Sequence, residues 1–192
     1  MYWIKKVPLM LTLMRSLLGP VVLFLALFFP QKLILASCLI VAFLSDVFDG
    51  IIARKLDIAT QGLRRLDSIA DSIFYICAAS AAWILYPATI INNSTPLIIL
   101  VLLEIIRYSY DYYKFHCEAS YHMWSSKLWG IFLFLGFFSL FSFGQGGLLF
   151  SLAIYMGIIA DIEGLLISMI IPKWKNDIPS IFHAIRERDS QA

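Results

Sequence analysis

Apolar runs at about 10–30, 33–54, 66–87, 96–115, 124–143 and 147–171 follow one another along this chain with only short breaks. Each approaches the ~20 residues that a helix needs to cross ~30 Å of hydrocarbon. The runs are continuously apolar and lack ten-residue alternation, so they predict helices and not the strands of a barrel. Composition agrees. Of 192 residues, 60% are hydrophobic and only 15% charged, where a soluble domain carries roughly a quarter. Mean hydropathy is +0.82. The expected fold is all-α: one polytopic membrane domain over residues 1–192, with six transmembrane helices and a C-terminal interfacial helix.

The breaks carry turn residues: Pro30, "PATIINNSTP" at 87–96 and "GQGG" at 144–147. The basic start "MYWIKK" leads into an apolar run that continues to Phe29 without a small-residue cleavage site. That predicts a retained first span and not a signal peptide. Cys38, Cys77 and Cys117 show no metal-ligand spacing, so neither a disulfide nor a zinc site is expected. After Pro172, the positions Ile178, Ile181, Phe182 and Ile185 form the stripe of an amphipathic helix between Asp177 and Arg188.

Charge bias orients the spans. Lys5 and Lys6, then Arg54, Lys55, Arg64 and Arg65, then Lys114 and Lys127, then Lys173, Lys175, Arg186 and Arg188 fall on one side. The alternate connections hold only Lys32. The positive-inside rule places both termini in the cytoplasm, at the inner membrane if the source is bacterial.

Against this background one stretch stands out, "LSDVFDGIIARKLDIATQGLRRLDSIADS" at 44–72. Asp46 and Asp49 are spaced i, i+3 near the end of the second span, and Asp67 and Asp71 are spaced i, i+4 at the start of the third. Each pair shares a helix face. The short connection makes the two helices antiparallel neighbours, so both pairs arrive at the same depth on the cytoplasmic side. Four carboxylates facing one spot require a positive partner. Arg54, Arg64 and Arg65 are near in sequence. One or two divalent cations are the alternative, since Mg²⁺ and Mn²⁺ favour oxygen ligands and a pair of ions can clamp a phosphate chain. The stretch has no His or Cys, which argues against zinc. Gly50, beside Asp49, allows a substrate close to the backbone or another helix close to its own.

At these residues the sequence resembles the CDP-alcohol phosphatidyltransferase family, whose motif reads D-x2-D-G-x2-A-R-x8-G-x3-D-x3-D. Asp46, Asp49, Gly50, Ala53, Arg54, Asp67 and Asp71 fall in place, seven of eight fixed positions over 26 residues. The eighth, a glycine, would fall at Leu63, and Gly62 precedes it. A second resemblance lies in "VPLMLTLMR" at 7–15, similar to the family's P-N-x-x-T-x-x-R segment. Pro8, Thr12 and Arg15 match it, and Leu9 replaces the Asn.

The resemblance implies a homodimeric enzyme with six transmembrane helices that cleaves a CDP-linked lipid such as CDP-diacylglycerol and releases CMP. It implies two divalent metal ions, Mg²⁺ or Mn²⁺, held by Asp46, Asp49, Asp67 and Asp71, with Asp71 also the catalytic general base. Thr12, Gly50, Ala53, Arg54, Thr60 and Gly62 would bind the CDP-lipid. The implied partners are this lipid, an alcohol and the bilayer, with no nucleic acid. Such chemistry suits the placement of the acids. Phosphoryl-type transfer depends on positioning and charge neutralisation, and an edge site lets acyl chains stay in lipid while the polar mouth meets water.

The acceptor is less marked. Glu104, Arg107, Asp111 and Lys114 run along the fourth span, and His122 and Lys127 follow it. Arg107, His122 and Lys127 are candidates for an acceptor pocket, because a phosphorylated alcohol calls for cations. In the opposing view Glu104–Arg107 and Asp111–Lys114 pair along the helix. Asp161 and Glu163 in the last span are almost opposite each other on a helix, so only one can face a given site. Glycerol-3-phosphate is the preferred acceptor, with inositol or its phosphate, serine, choline and phosphatidylglycerol as alternatives. The rival to an enzyme is a cation transporter, which would place its acids nearer the midplane on broken helices.

Overall fold

The computed structural model describes residues 7–56, 61–117 and 121–191, and these contain helices and connections but no strand. In chain order, α1 spans Val7–Phe28, α2 Lys32–Lys55, α3 Gln61–Leu85, α4 Pro87–Asn92, α5 Ser94–Phe115, α6 Trp124–Phe143, α7 Gly147–Ile170 and α8 Ile181–Gln191. The expected spans correspond to α1, α2, α3, α5, α6 and α7. All but α5 are long and apolar enough to cross a membrane. α5 has 22 residues, about 33 Å of helix. Its Glu104, Arg107, Asp111 and Lys114 set it apart from the apolar five.

The breaks follow from local chemistry. Residues 29–31 are not helical, and Pro30 has no N–H with which to continue α1. Gly144 ends α6 with φ 74°, and its N–H donates to the Leu140 carbonyl at 2.9 Å, a left-handed cap that favours glycine. The 87–96 connection, expected as a loop, winds into α4 and the start of α5. Pro87 and Pro96 fall in first turns, where a missing N–H costs nothing.

The described residues fall into two compact units, one from 1–90 with 137–145 and one from 91–136 with 146–192. In the first, α1 packs on α2 and α3. α1 buries Pro8, Thr12, Arg15, Gly19, Val22 and Ala26, a stripe spaced by three and four residues. Gly19 permits the α1–α3 approach: a Cβ there would lie 3.0 Å from the Phe74 Cα and 3.2 Å from the Ile73 carbonyl oxygen. Ala70, Ala78, Ala81 and Ala82 are buried on α3, the small residues that close packing between membrane helices needs. Phe137, Leu140 and Phe141 from the end of α6 complete this core.

In the second unit α5 and α8 each pack on α7. The amphipathic tail begins as a helix at Ile181, four residues later than the Asp177 expected from its stripe. Asp177 has φ 58°, and Pro179 disfavours helix at the residue before it. Ile178 instead turns into a cluster with Tyr121, Met123, Ile167, Ile171 and Ala184. Phe182 stays exposed. Elsewhere large apolar side chains such as Leu17, Phe24, Ile76 and Met169 point outward, as expected of helices whose surroundings are lipid.

Candidate active site

α2 and α3 bring the four motif aspartates together, and α1 lays a cation among them. Arg15 is 2% exposed and touches all four acids. One terminal nitrogen, Nη1, pairs with Asp46 and, at 3.0 Å, with Asp71. The other, Nη2, pairs with Asp67 and, at 3.4 Å, with Asp49. The planar guanidinium fork suits it to bridge carboxylates from two helices. Its Nε is buried and has no acceptor among the described residues. One turn earlier on the same stripe, the Thr12 hydroxyl lies 3.0 Å from the Pro8 carbonyl and 3.3 Å from Asp49 Oδ2. It has one hydrogen to donate to either.

The positive partner among the described side chains is therefore Arg15, and not the arginines of the 54–65 connection that proximity in sequence suggests. Arg65 is exposed, and the side chains of Arg54 and Arg64 lie outside the described residues. A signal for Arg15 exists in the sequence: it is a charge inside an apolar run, in register with Thr12 and Gly19 on the buried stripe.

The acids differ in setting. Asp49 is buried at 4% exposure, whereas Asp46, Asp67 and Asp71 are half-buried. One oxygen from each of Asp46, Asp49 and Asp67 lies within 4.8 Å of the others. An ion with ligands at ~2.1 Å places its oxygens at most ~4.2 Å apart, so a small inward movement of this trio would enclose one. The donor set is all oxygen, which suits a hard divalent cation and not zinc. Asp71 lies beside this trio, tied to it through Arg15.

The other motif positions fall nearby in sequence on the same helices. Gly50 and Ala53 are in α2, with Ala53 buried. Gly62 is in the first turn of α3, is exposed, and a Cβ there would meet none of the described residues within 4 Å. Leu63, at the family glycine position, is half-buried beside it. Thr60 lies outside the described residues.

The three acceptor candidates belong to the second unit, and each has a local partner. Arg107 Nε lies 2.9 Å from Asp161 Oδ1, and its guanidinium carbon sits 4.7 Å from the centre of the Tyr108 ring. Gly164 makes room for it, since a Cβ there would come within 2.9 Å of the Arg107 Cδ. His122 Nε2 is 3.8 Å from Asp177 Oδ1, and Lys127 Nζ lies 4.6 Å from the centre of the Trp124 ring. Asp161 and Glu163 do face opposite ways. Asp161 meets Arg107, whereas Glu163 accepts the Ile181 N–H at 3.2 Å at the start of α8.

One buried network in this unit is not apparent from the sequence. Ser168 Oγ donates to Asp111, which leaves the Tyr121 hydroxyl, 2.8 Å away, to donate to Ser168. Burial pushes the Tyr121 phenol up to about 12, consistent with a donor that stays protonated. Lys114 Nζ reaches the carbonyls of Ser168, Met169 and Ile171 at 2.8, 3.2 and 2.9 Å. That is a cation on the open carbonyls of a helix C-terminus. Asp111 and Lys114 thus both turn to α7.

Of three comparisons with known proteins, one gives a match. The sequence profile described as CDP-alcohol phosphatidyltransferase matches residues 5–169, which takes in α1 to α7 almost whole. No curated protein matches the chain significantly, and no solved structure does.

Proposed function

The chain belongs to the CDP-alcohol phosphatidyltransferase family, and on that premise we propose that it transfers a phosphatidyl group from CDP-diacylglycerol to glycerol-3-phosphate. Membership makes it a membrane-embedded transferase that takes a CDP-alcohol and an alcohol acceptor, in a family that uses divalent metals. The observation that carries the metal-assisted transfer is the convergence of Asp46, Asp49 and Asp67 from two helices, with Asp71 next to them; the choice of glycerol-3-phosphate rests on the compact chain and the 7–15 segment.

In this reading Asp46, Asp49, Asp67 and Asp71 hold two ions, Mg²⁺ or Mn²⁺. Such ions, when bound, neutralise the pyrophosphate and stabilise the departing CMP. Thr12, Gly50, Ala53, Arg54, Thr60 and Gly62 bind the CDP group and hold its lipid-side phosphorus in line with the acceptor. The Asp71 carboxylate takes the proton from the acceptor hydroxyl. The acceptor oxygen bonds to the lipid-side phosphorus, the pyrophosphate P–O bond breaks, and CMP leaves. Arg107, His122 and Lys127 are assigned to the acceptor phosphate. The working form is a homodimer with both termini and the site facing the cytoplasm, as the charge bias favours.

The test is direct. Purified protein is incubated with CDP-diacylglycerol, Mg²⁺ or Mn²⁺, and glycerol-3-phosphate, inositol, inositol phosphate, serine, choline or phosphatidylglycerol in turn, and CMP is measured. Glycerol-3-phosphate should release CMP, and EDTA should stop it. Release with another alcohol alone replaces the acceptor. If no alcohol releases CMP and D71N behaves as wild type, the enzymatic reading fails.

A further inference from the structure

Granting the metal reading above, we propose that Arg15 is a built-in competitor for the metal site: a resident cation that a divalent ion must push aside in order to bind. The two terminal nitrogens of its guanidinium pair with Asp46, Asp49 and Asp67, and the same three residues supply the trio of oxygens within 4.8 Å. An ion and this guanidinium would draw on the same three carboxylates. Electrostatics adds to the competition, because two cations held a few ångströms apart away from bulk water repel strongly.

The acids do not saturate Arg15. Its buried Nε has no acceptor among the described residues, so a donor remains for another anion. Neither does Arg15 satisfy the acids: among the described side chains a single positive charge faces four carboxylates. The arrangement keeps the cluster assembled and leaves it strongly cation-seeking. An arriving metal displaces the guanidinium from part of this set. A ligand bearing a diphosphate offers the freed guanidinium a new anionic partner, which couples metal loading to the arrival of that ligand.

The measurement is the dissociation constant for Mn²⁺, read from the free-ion EPR signal of the purified full chain without substrate. R15Q removes the competing charge, and its Mn²⁺ affinity should rise at least tenfold. R15K keeps the charge but not the fork, and should bind a few-fold more tightly than wild type. It also serves if R15Q does not fold. Adding a non-hydrolysable diphosphate analogue of the CDP group should raise Mn²⁺ affinity more in wild type than in R15Q. Unchanged or weaker Mn²⁺ binding in the folded variants makes Arg15 a scaffold and overturns the competition, while the metal site itself stands. If neither wild type nor variant binds Mn²⁺, the metal site falls too.

Discussion

At the scale of single residues, the acids differ in setting. Asp46, Asp49 and Asp67 converge, and Asp71 stands beside them. If Asp71 is the general base proposed above, D71N should lower CMP release by about 10²–10⁴-fold, the usual worth of such a group. Mn²⁺ affinity should fall in both D71N and D49N, and further in D49N because Asp49 belongs to the converging trio; titration of Mn²⁺ into both variants checks this. G62A should leave stability near wild type, because a Cβ at that position meets none of the described residues within 4 Å, and should lower CMP release if Gly62 binds the CDP group; a thermal melt and the CMP assay separate the two. The acids are legible in the sequence because charge inside an apolar run is costly and therefore conspicuous. Arg15 is as conspicuous, yet adjacency along the chain favours the arginines of the 54–65 connection. Only the packing of α1 across α2 and α3 selects Arg15, and that is a tertiary fact.

At the scale of elements, close approach sets the site. Gly19 lies one turn beyond Arg15 on the buried stripe, and Phe74 lies close after Asp71 on α3. A methyl group at position 19 would press on the α3 backbone itself, which cannot yield as a flexible side chain does. G19A should cost about 1–3 kcal/mol, as overpacking typically does, and should reduce CMP release by shifting Arg15 against the acids. A thermal melt and the CMP assay measure the two effects. In α7, Ser168 links Asp111 to Tyr121, and S168A should cost about 1–3 kcal/mol by leaving buried groups unsatisfied.

The same network predicts a pH dependence. The Tyr121 phenol is raised from 10.0 to about 12 by burial. A group with a raised folded pKa contributes stability that is complete below its unfolded value and lost as pH rises through the folded one. Stability should therefore decline between pH 10 and about pH 12, and Y121F should flatten that decline in alkaline melts. Apolar runs fix the long helices well in the sequence. The start of α8 is less legible, since its stripe continues through Ile178 while Asp177 and Pro179 hold the backbone out of helix.

At the scale of the whole molecule, the chain is a membrane protein with costly charges in both units, and the question is which of them serve chemistry. In the second unit Arg107 faces the buried Asp161. Removing one partner of a buried pair costs about 3–5 kcal/mol, whereas replacing both with apolar residues is often neutral. R107M should therefore destabilise the protein, and R107M/D161L should recover the stability. If Arg107 also binds the acceptor phosphate, the double variant will be stable but will show a raised KM for the acceptor. If the KM is unchanged, Arg107 is structural. The sequence marks these charges as costly, but the choice of Asp161 over Glu104 as partner depends on how α5 meets α7.

The position of Arg15 in the chain has a consequence for biosynthesis. It precedes Asp46 by 31 residues and Asp67 by 52. At ~5–20 residues per second, its first carboxylate partner is made seconds after Arg15 itself. An arginine at the centre of an inserting helix costs ~2.5–3.5 kcal/mol on translocon scales, which is an upper bound for Arg15 in the N-terminal part of its span. Until α2 and α3 arrive, α1 must hold its place in the bilayer on its leucines, valines and phenylalanines alone, and the ion pairs that define the site form only once three helices are in the membrane together.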